Sequence, residues 1–176
     1  MQEIVIKLSK TKMLVLLAGS IGFVAVGFWL WQIADVQHRY FPLYVKFAAT
    51  LSIGFFGLGA VFIVVKLFDS NPGLIINDEG ITDNASGASA GLVRWENITK
   101  VRITEIVNQK FITIDVNNAD EILNRQSDSK RAMMQQNIKL CNSPVNISTN
   151  MLQCNFQKLY DLIKEEVFRR DVMRKG

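Results

Sequence analysis

One histidine, two cysteines and three prolines among 176 residues leave little from which to build a catalytic or metal centre. The histidine, His38, stands beside Arg39 and Tyr40 with no nucleophile or metal-ligating neighbour. It reads as a solvated loop residue rather than a general base. Cys141 and Cys154 are thirteen positions apart, which excludes a CxxC redox pair and supplies no zinc set. Neither a GxxxxGK[ST] phosphate loop nor a GxGxxG fingerprint occurs, so nucleotide binding through those devices is excluded. Asp78, Glu79 and Asp83 gather only around one turn. No enzyme activity, cofactor or metal is expected.

Acidic residues are scarce in one half only. Residues 1–68 carry six basic side chains against Glu3 and Asp35, while residues 69–176 carry equal numbers of each sign. The net charge of +4 therefore sits wholly on the apolar half. A nucleic-acid footprint is excluded, because the polar half has no basic surplus to neutralise phosphates.

Long hydrophobic runs, by contrast, are plentiful, and mean hydropathy is +0.16. Met13 to Trp31 and Phe47 to Val65 are each uncharged throughout, and roughly 20 apolar residues suffice to cross a bilayer. Lys7, Lys10 and Lys12 resemble the start of a signal peptide. The first run is too long for one, however, and ends in Phe28, Trp29 and Trp31 rather than small residues. Two transmembrane helices in a hairpin are expected over 13–68. Trp29, Trp31, Tyr40 and Tyr44 lie at their ends as membrane-interface residues, and Pro42 falls in the connecting loop. Three lysines precede the first span and Lys66 follows the second, against Arg39 and Lys46 in the loop, a bias that favours both termini in the cytoplasm.

Small residues recur on one face of each span: Ala18, Gly22 and Ala25, then Thr50, Gly54 and Gly57. Such faces let helix backbones approach closely in lipid. Gly22, Gly54 and Gly57 are the expected packing residues of the hairpin, and a homo-oligomer interface is the second reading of the same faces. No ionisable residue lies inside either span, which argues against a transporter or channel.

Residues 1–12 form a cytoplasmic N-terminal segment, and 69–176 a polar domain opened by the turn signal Asn71-Pro72-Gly73. Strands are expected at Leu74–Ile76, Ile81–Asp83, Leu92–Trp95, Ile98–Val107 and Lys110–Val116. In the last of these, Ile112, Ile114 and Val116 face one way and Phe111, Thr113 and Asp115 the other. Helices follow at 119–126 and 129–140, then a strand at 144–148. Asn155 caps a closing helix whose apolar positions are Phe156, Leu159, Ile163 and Val167. The expected fold class is α+β: a transmembrane hairpin, then an antiparallel sheet or partial barrel with a C-terminal helix.

Pro72–Ile76, Asp78–Asn84, Gly91–Thr99, Gln109–Ile112 and Ser143–Ser148 carry a resemblance. Together with the two spans, they make the chain similar to a bacterial family of uncharacterised membrane proteins with a pleckstrin-homology-like (PH-like) domain. Trp95-Glu96-Asn97-Ile98, a strand ending in Trp before a short turn, is typical of bacterial PH-like domains. The resemblance implies a seven-stranded fold and a bacterial inner (cytoplasmic) membrane location, and brings no activity with it.

Phosphoinositide-binding PH domains place several Lys and Arg around the first hairpin, whereas here it holds Asp78, Glu79 and Asp83 and no basic residue. Headgroup binding at that place is excluded by repulsion. The loop from Ser86 to Gly91 reads as a flexible connection rather than an anion cradle. Arg169, Arg170, Arg174 and Lys175 read as a solvated helix end that complements the helix dipole. The expected function is a non-enzymatic membrane protein whose cytoplasmic domain binds a protein partner. The alternative is an immunity protein that neutralises a toxin acting at the membrane.

Overall fold

The computed structural model describes residues 3–175; positions 1, 2 and 176 of the expected segments lie outside it. The chain divides into two compact units, Lys10–Ser70 and the residues on either side of it.

The first unit is a pair of helices, α1 (Lys10–Ile33) and α2 (Pro42–Leu67). Both are long and apolar enough to cross a membrane, and α1 at about 1.5 Å per residue spans some 36 Å. Only 11% of each apolar window is buried. Leu14, Val15, Phe55, Leu58 and Val61 are all exposed, so the pair is apolar on every side rather than along a single stripe. Both helices overrun the expected spans, taking in Lys10, Lys12, Lys46 and Lys66 at their ends. Pro42 is the first residue of α2 rather than part of the loop, a position where the missing N–H removes no helical bond.

The helices meet at Gly27, where an added Cβ would stand 2.8 Å from Ile53 Cγ1 and 3.2 Å from the Ala49 carbonyl oxygen. The Ser52 hydroxyl donates to the Phe23 carbonyl at 3.1 Å, and the Phe23 and Phe56 rings stack at 4.3 Å. At Gly22, Gly54 and Gly57 an added Cβ would meet nothing within 4 Å. Close packing in the hairpin is therefore centred on Gly27 instead of those three. A bare count of small residues cannot tell which helix face turns inward.

The second unit holds seven strands among the described residues, in two antiparallel sheets. The four-stranded sheet runs in the order β1 (Ile4–Ile6), β2 (Leu74–Ile76), β3 (Gly80–Asp83), β4 (Gly91–Arg94). The three-stranded one runs β5 (Ile98–Ile106), β6 (Gln109–Val116), β7 (Val145–Ile147). Between β6 and β7 come α3 (Ala119–Asn124) and α4 (Asp128–Cys141), and α5 (Phe156–Lys175) closes the chain. Trp95 falls outside β4, opening a single 3-10 turn that leads into β5.

β1 is the element the sequence does not announce. Its three residues pair with β2 across the whole length of the intervening helical pair, Ile4 opposite Ile76 and Ile6 opposite Leu74. The segment before α1 is thus part of the sheet that continues after α2.

Alternation explains most of the core. Leu74, Ile76, Ile81, Val93, Ile112, Ile114, Val145 and Ile147 are essentially inaccessible, as are Leu159 and Ile163 on α5. Each such side chain contributes about 1.5–3 kcal/mol by leaving water. Thr113, expected on the polar face of β6, is buried as well. Its hydroxyl donates to Asn146 Oδ1 at 2.7 Å and lies 2.8 Å from that of Thr104, so the second face of this sheet is covered and its polar groups are paired. Arg102 anchors that face, with Nε and Nη2 each 2.9 Å from an Asp115 oxygen, Nη1 2.8 Å from Thr104 Oγ1, and Nη2 donating also to the Cys141 carbonyl at the end of α4. Asn142 then ends α4 in the left-handed conformation at φ 54°, as a C-terminal cap requires.

Candidate functional site

The turn after β2 is built by Asn77, whose Oδ1 accepts from the amides of Glu79 and Gly80 at 3.0 and 3.2 Å. Such a turn aims Asp78 and Glu79 into solvent, and both are exposed. The strand that leaves it runs so close to β4 that a Cβ on Gly80 would lie 2.1 Å from the Val93 carbonyl oxygen. The chain then comes back at Trp95, whose indole N–H donates to the Asn77 carbonyl at 2.7 Å while its backbone N–H donates to Glu79 O at 3.3 Å. Trp95 is thereby fixed against the turn, the residue as a whole 9% exposed.

α5 supplies the other wall. Asn155 caps it as expected, its Oδ1 accepting from Gln157 and Lys158 amides at 2.9 and 3.2 Å. Leu159 and Ile163 are buried on one face, and the next turn of that face is Glu166, only 7% exposed. Burial alone would raise its pKa, but hydrogen bonds from Arg169 and Arg170 outweigh that and hold the carboxyl below its ordinary value of 4.5. Arg170 Nε sits 2.7 Å from Glu166 Oε1, and Nη2 is 3.2 Å from Asp78 Oδ1. The guanidinium lies 4.9 Å from the Trp95 ring centroid, within cation–π range.

Arg169 and Arg170 are therefore not a solvated helix end, as their position near the C-terminus suggested. They neutralise a buried acid, and Arg170 ties α5 to the first hairpin. That hairpin has no basic residue of its own, but a basic residue 92 positions away reaches it.

Around this post lies an open groove of about 1050 Å³. One side is the start of β5, with Ile98, Thr99, Lys100 and Val101; the other is the last half of α5 with Lys164, Phe168 and Met173. Phe168 is 70% and Met173 66% exposed. The charges lining it largely satisfy one another: Arg94 with Glu96 at 3.7 Å, Arg174 with Asp171 at 3.3 Å, Arg170 with Asp78. What the groove offers is apolar surface and a strand edge, since β5 is the last strand of its sheet and pairs with β6 alone.

The other residues singled out in the sequence lie elsewhere. Trp29 and Trp31 near the end of α1, Tyr40 in the turn and Tyr44 in the first turn of α2 are all exposed. His38 is exposed in the same turn. Cys141 is buried, Cys154 half-buried, and neither is in a disulfide. Burial pushes the Cys141 thiol up, with Arg102 opposing in part, which makes it a poor nucleophile. The loop from Ser86 to Gly91 is tied down rather than free, with Ser89 and Ala90 buried and the Gln126 side chain donating to the Ala90 carbonyl at 3.2 Å. No group of three metal-ligating side chains occurs among the described residues.

No family model, curated protein or solved structure matches the chain.

Proposed function

We propose that this is a non-enzymatic protein of the bacterial inner membrane, anchored by α1 and α2, whose cytoplasmic PH-like domain binds a protein partner in the groove between β5 and α5. The observation that carries the reading is the groove itself. Its aromatic post, Trp95, is locked by Asn77 and Arg170, while Phe168 and Met173 stand uncovered beside an unpaired strand edge. Uncovered apolar side chains on a wall braced from beneath are what protein interfaces use, and a free edge accepts an added strand. Six of the charged groups that line the groove are spent on one another, Arg94 with Glu96, Arg174 with Asp171 and Arg170 with Asp78, which favours binding over catalysis.

Support for the PH-like reading comes from the division of seven strands into four and three with a closing helix. Counting from the sequence finds six; β1 is the seventh. On this reading the membrane hairpin is inserted between the first two strands of the domain. The pairing of β1 with β2 also supports placing both ends of the hairpin on one side of the membrane, and the lysines at positions 7, 10 and 12 favour the cytoplasm as that side.

Photocrosslinking in cells tests the assignment. A photoreactive side chain at Phe168 or Lys100 is expected to trap one and the same protein. Ser129, exposed on α4, serves as the control and is expected to trap none. The Phe168 adduct should disappear when Trp95→Ala removes the post. Equal labelling from Ser129, or none from either groove position, would reject the groove as the binding surface.

A further inference from the structure

The charges of the groove beside Trp95 differ from one end to the other. Glu79, Lys100 and Lys164 line it, are exposed, and form no ion pair among the described residues. Lys164 Nζ stands 5.7 Å from the Tyr160 ring centroid, a contact that leaves its charge uncompensated. Glu79 belongs to the first hairpin, which α5 reaches at Arg170. Lys164 comes earlier on α5, about 9 Å back along the helix axis. Lys100 likewise lies on β5 beyond Trp95, whose backbone N–H donates to the Glu79 carbonyl. One end of the groove thus carries an acid and the other a cation on each wall.

The strand wall is regular only from Lys100 onward. β5 keeps an unbroken register with β6 from Lys100 opposite Asp115 to Ile106 opposite Gln109, whereas a bulge interrupts it between Ile98 and Lys100. Thr99, inside the bulge, donates its hydroxyl to the Asp115 carbonyl at 3.0 Å. A bulge bends its strand and breaks regular pairing. The edge open to a further strand therefore begins at Lys100, and among the described residues nothing pairs with β5 on that side. A lysine on such an edge disfavours a like-charged strand and favours an acidic one. On the other wall Phe168 follows Lys164 by four positions, which makes the two neighbours with Cβ atoms about 5–6 Å apart. In an extended chain, side chains two positions apart point the same way at about 6.6 Å. An acidic residue, any residue and an apolar residue in succession match Lys164 and Phe168 in spacing and in chemistry.

We propose that the partner enters the groove as an extended segment that adds to the edge of β5 from Lys100 onward, with a carboxylate facing Lys100 and Lys164 and, two positions along, an apolar side chain against Phe168. The proposal rests on the groove being the binding surface. Main-chain hydrogen bonds to β5 supply affinity without regard to sequence, and the side chains that face α5 supply the choice of partner. Glu79 fixes the direction of the charge, because an acid at its end of the groove is repelled while one at the lysine end is attracted.

The test selects a random dodecapeptide library, displayed on phage, against the immobilised full chain in detergent. Selected peptides are expected to share Asp or Glu two positions from an apolar residue, and to slow amide hydrogen exchange over Lys100–Ile106 of the wild-type chain. Lys100→Glu with Lys164→Glu should weaken them about tenfold or more, and a fresh selection on that double variant should return Lys or Arg where the acid stood. All of these side chains are exposed, so the variants should melt with the wild type, and the exchange measurement needs no variant. Peptides that lack the acid, or that leave β5 exchange unchanged, overturn the proposal; the groove itself stands if Phe168→Glu abolishes their binding. Binding that survives Phe168→Glu overturns the groove as the binding surface and the proposal with it. A library that yields no binder overturns strand addition alone when a photoreactive group at Phe168 still traps a protein in cells.

Discussion

Leu8 and Leu152 face each other in an isolated antiparallel bridge, and Gly73 fills the space beside both: a Cβ there would stand 2.4 Å from Leu152 Cδ2 and 3.0 Å from Leu8 Cδ2. Leu8 lies just before the helical pair and Gly73 just after it. The bridge fastens the chain's departure from the polar domain to its return. Leu152 is fully buried and Leu8 is 9% exposed.

Leu8→Ala is therefore expected to destabilise the domain by about 2–4 kcal/mol, the usual cost of a leucine deleted from a core. Deleting residues 1–9 should do more, because it strips β2 of its neighbour and exposes Ile76 and Leu74. Thermal melts of the detergent-solubilised protein, followed through Trp95 fluorescence in a Trp29→Phe, Trp31→Phe background, would measure both. Unchanged melts would mean that β1 is dispensable.

Two glycines, Gly73 just before β2 and Gly80 in β3, should respond differently to alanine. At Gly73 the obstructing atoms are the ends of leucine side chains, which can give way, so Gly73→Ala is expected to cost about 1–2 kcal/mol. At Gly80 the obstruction is the Val93 carbonyl at 2.1 Å. Backbone cannot yield without breaking the β3–β4 pairing, and Gly80→Ala should cost about 3 kcal/mol or more. Denaturant midpoints of the two variants give the ranking.

What the sequence made legible was whatever depends on near neighbours. The apolar runs of α1 and α2, the Asn77 turn, the alternation of Ile112 and Ile114 and the Asn155 cap are all local patterns. β1 escaped because three residues carry no period to read and their partner lies beyond both long helices. The groove escaped for a similar reason: Trp95 was noted as a motif residue, but its posture depends on Arg170, and Asp78 looked unpartnered until α5 was in place. Gly27 was no more conspicuous in sequence than Gly22, since a helix face is chosen by tertiary packing. Thr113 fitted the polar face of β6, and only the cover on that face shows why it is buried.

The Arg102–Asp115 pair offers a third prediction. Both groups are about a quarter exposed, and Arg102 also serves the last carbonyl of α4. Arg102→Met keeps the volume and removes every one of these hydrogen bonds, leaving Asp115 and the Cys141 carbonyl short of a donor. A loss of about 1–3 kcal/mol is expected. Hydrogen exchange should rise first in α4, because the bond to Cys141 is what secures that helix end to the sheet. Exchange that rises evenly across the domain would contradict this placement.

Trp95 and Arg170 can be separated by conservative changes. Trp95→Phe keeps a ring beneath Arg170 but loses the N–H donated to Asn77, and about 1 kcal/mol should go with it. Arg170→Lys retains charge but not the fork that reaches Glu166 and Asp78 together. The double variant is expected to cost less than the two single losses combined, since both act on one post between the hairpin and α5. Strict additivity would show that the two contacts are independent.

Glu166 makes the strength of that post depend on pH. Its carboxyl is held below the ordinary value of 4.5 in the folded protein, burial being outweighed by Arg169 and Arg170. A group whose folded pKa is depressed contributes its full stabilisation above its unfolded pKa, and loses it as pH falls through the folded one. The domain should therefore hold its melting temperature from neutrality down to about pH 4.5 and then lose stability on further acidification. Glu166→Gln removes the titrating group while keeping its size. The variant is expected to be less stable than the wild type at neutral pH, by about 1–3 kcal/mol, and to close that gap as the pH drops below 4.5. If the gap stayed constant down to about pH 3, the ion pairs of Arg169 and Arg170 would contribute nothing to the fold.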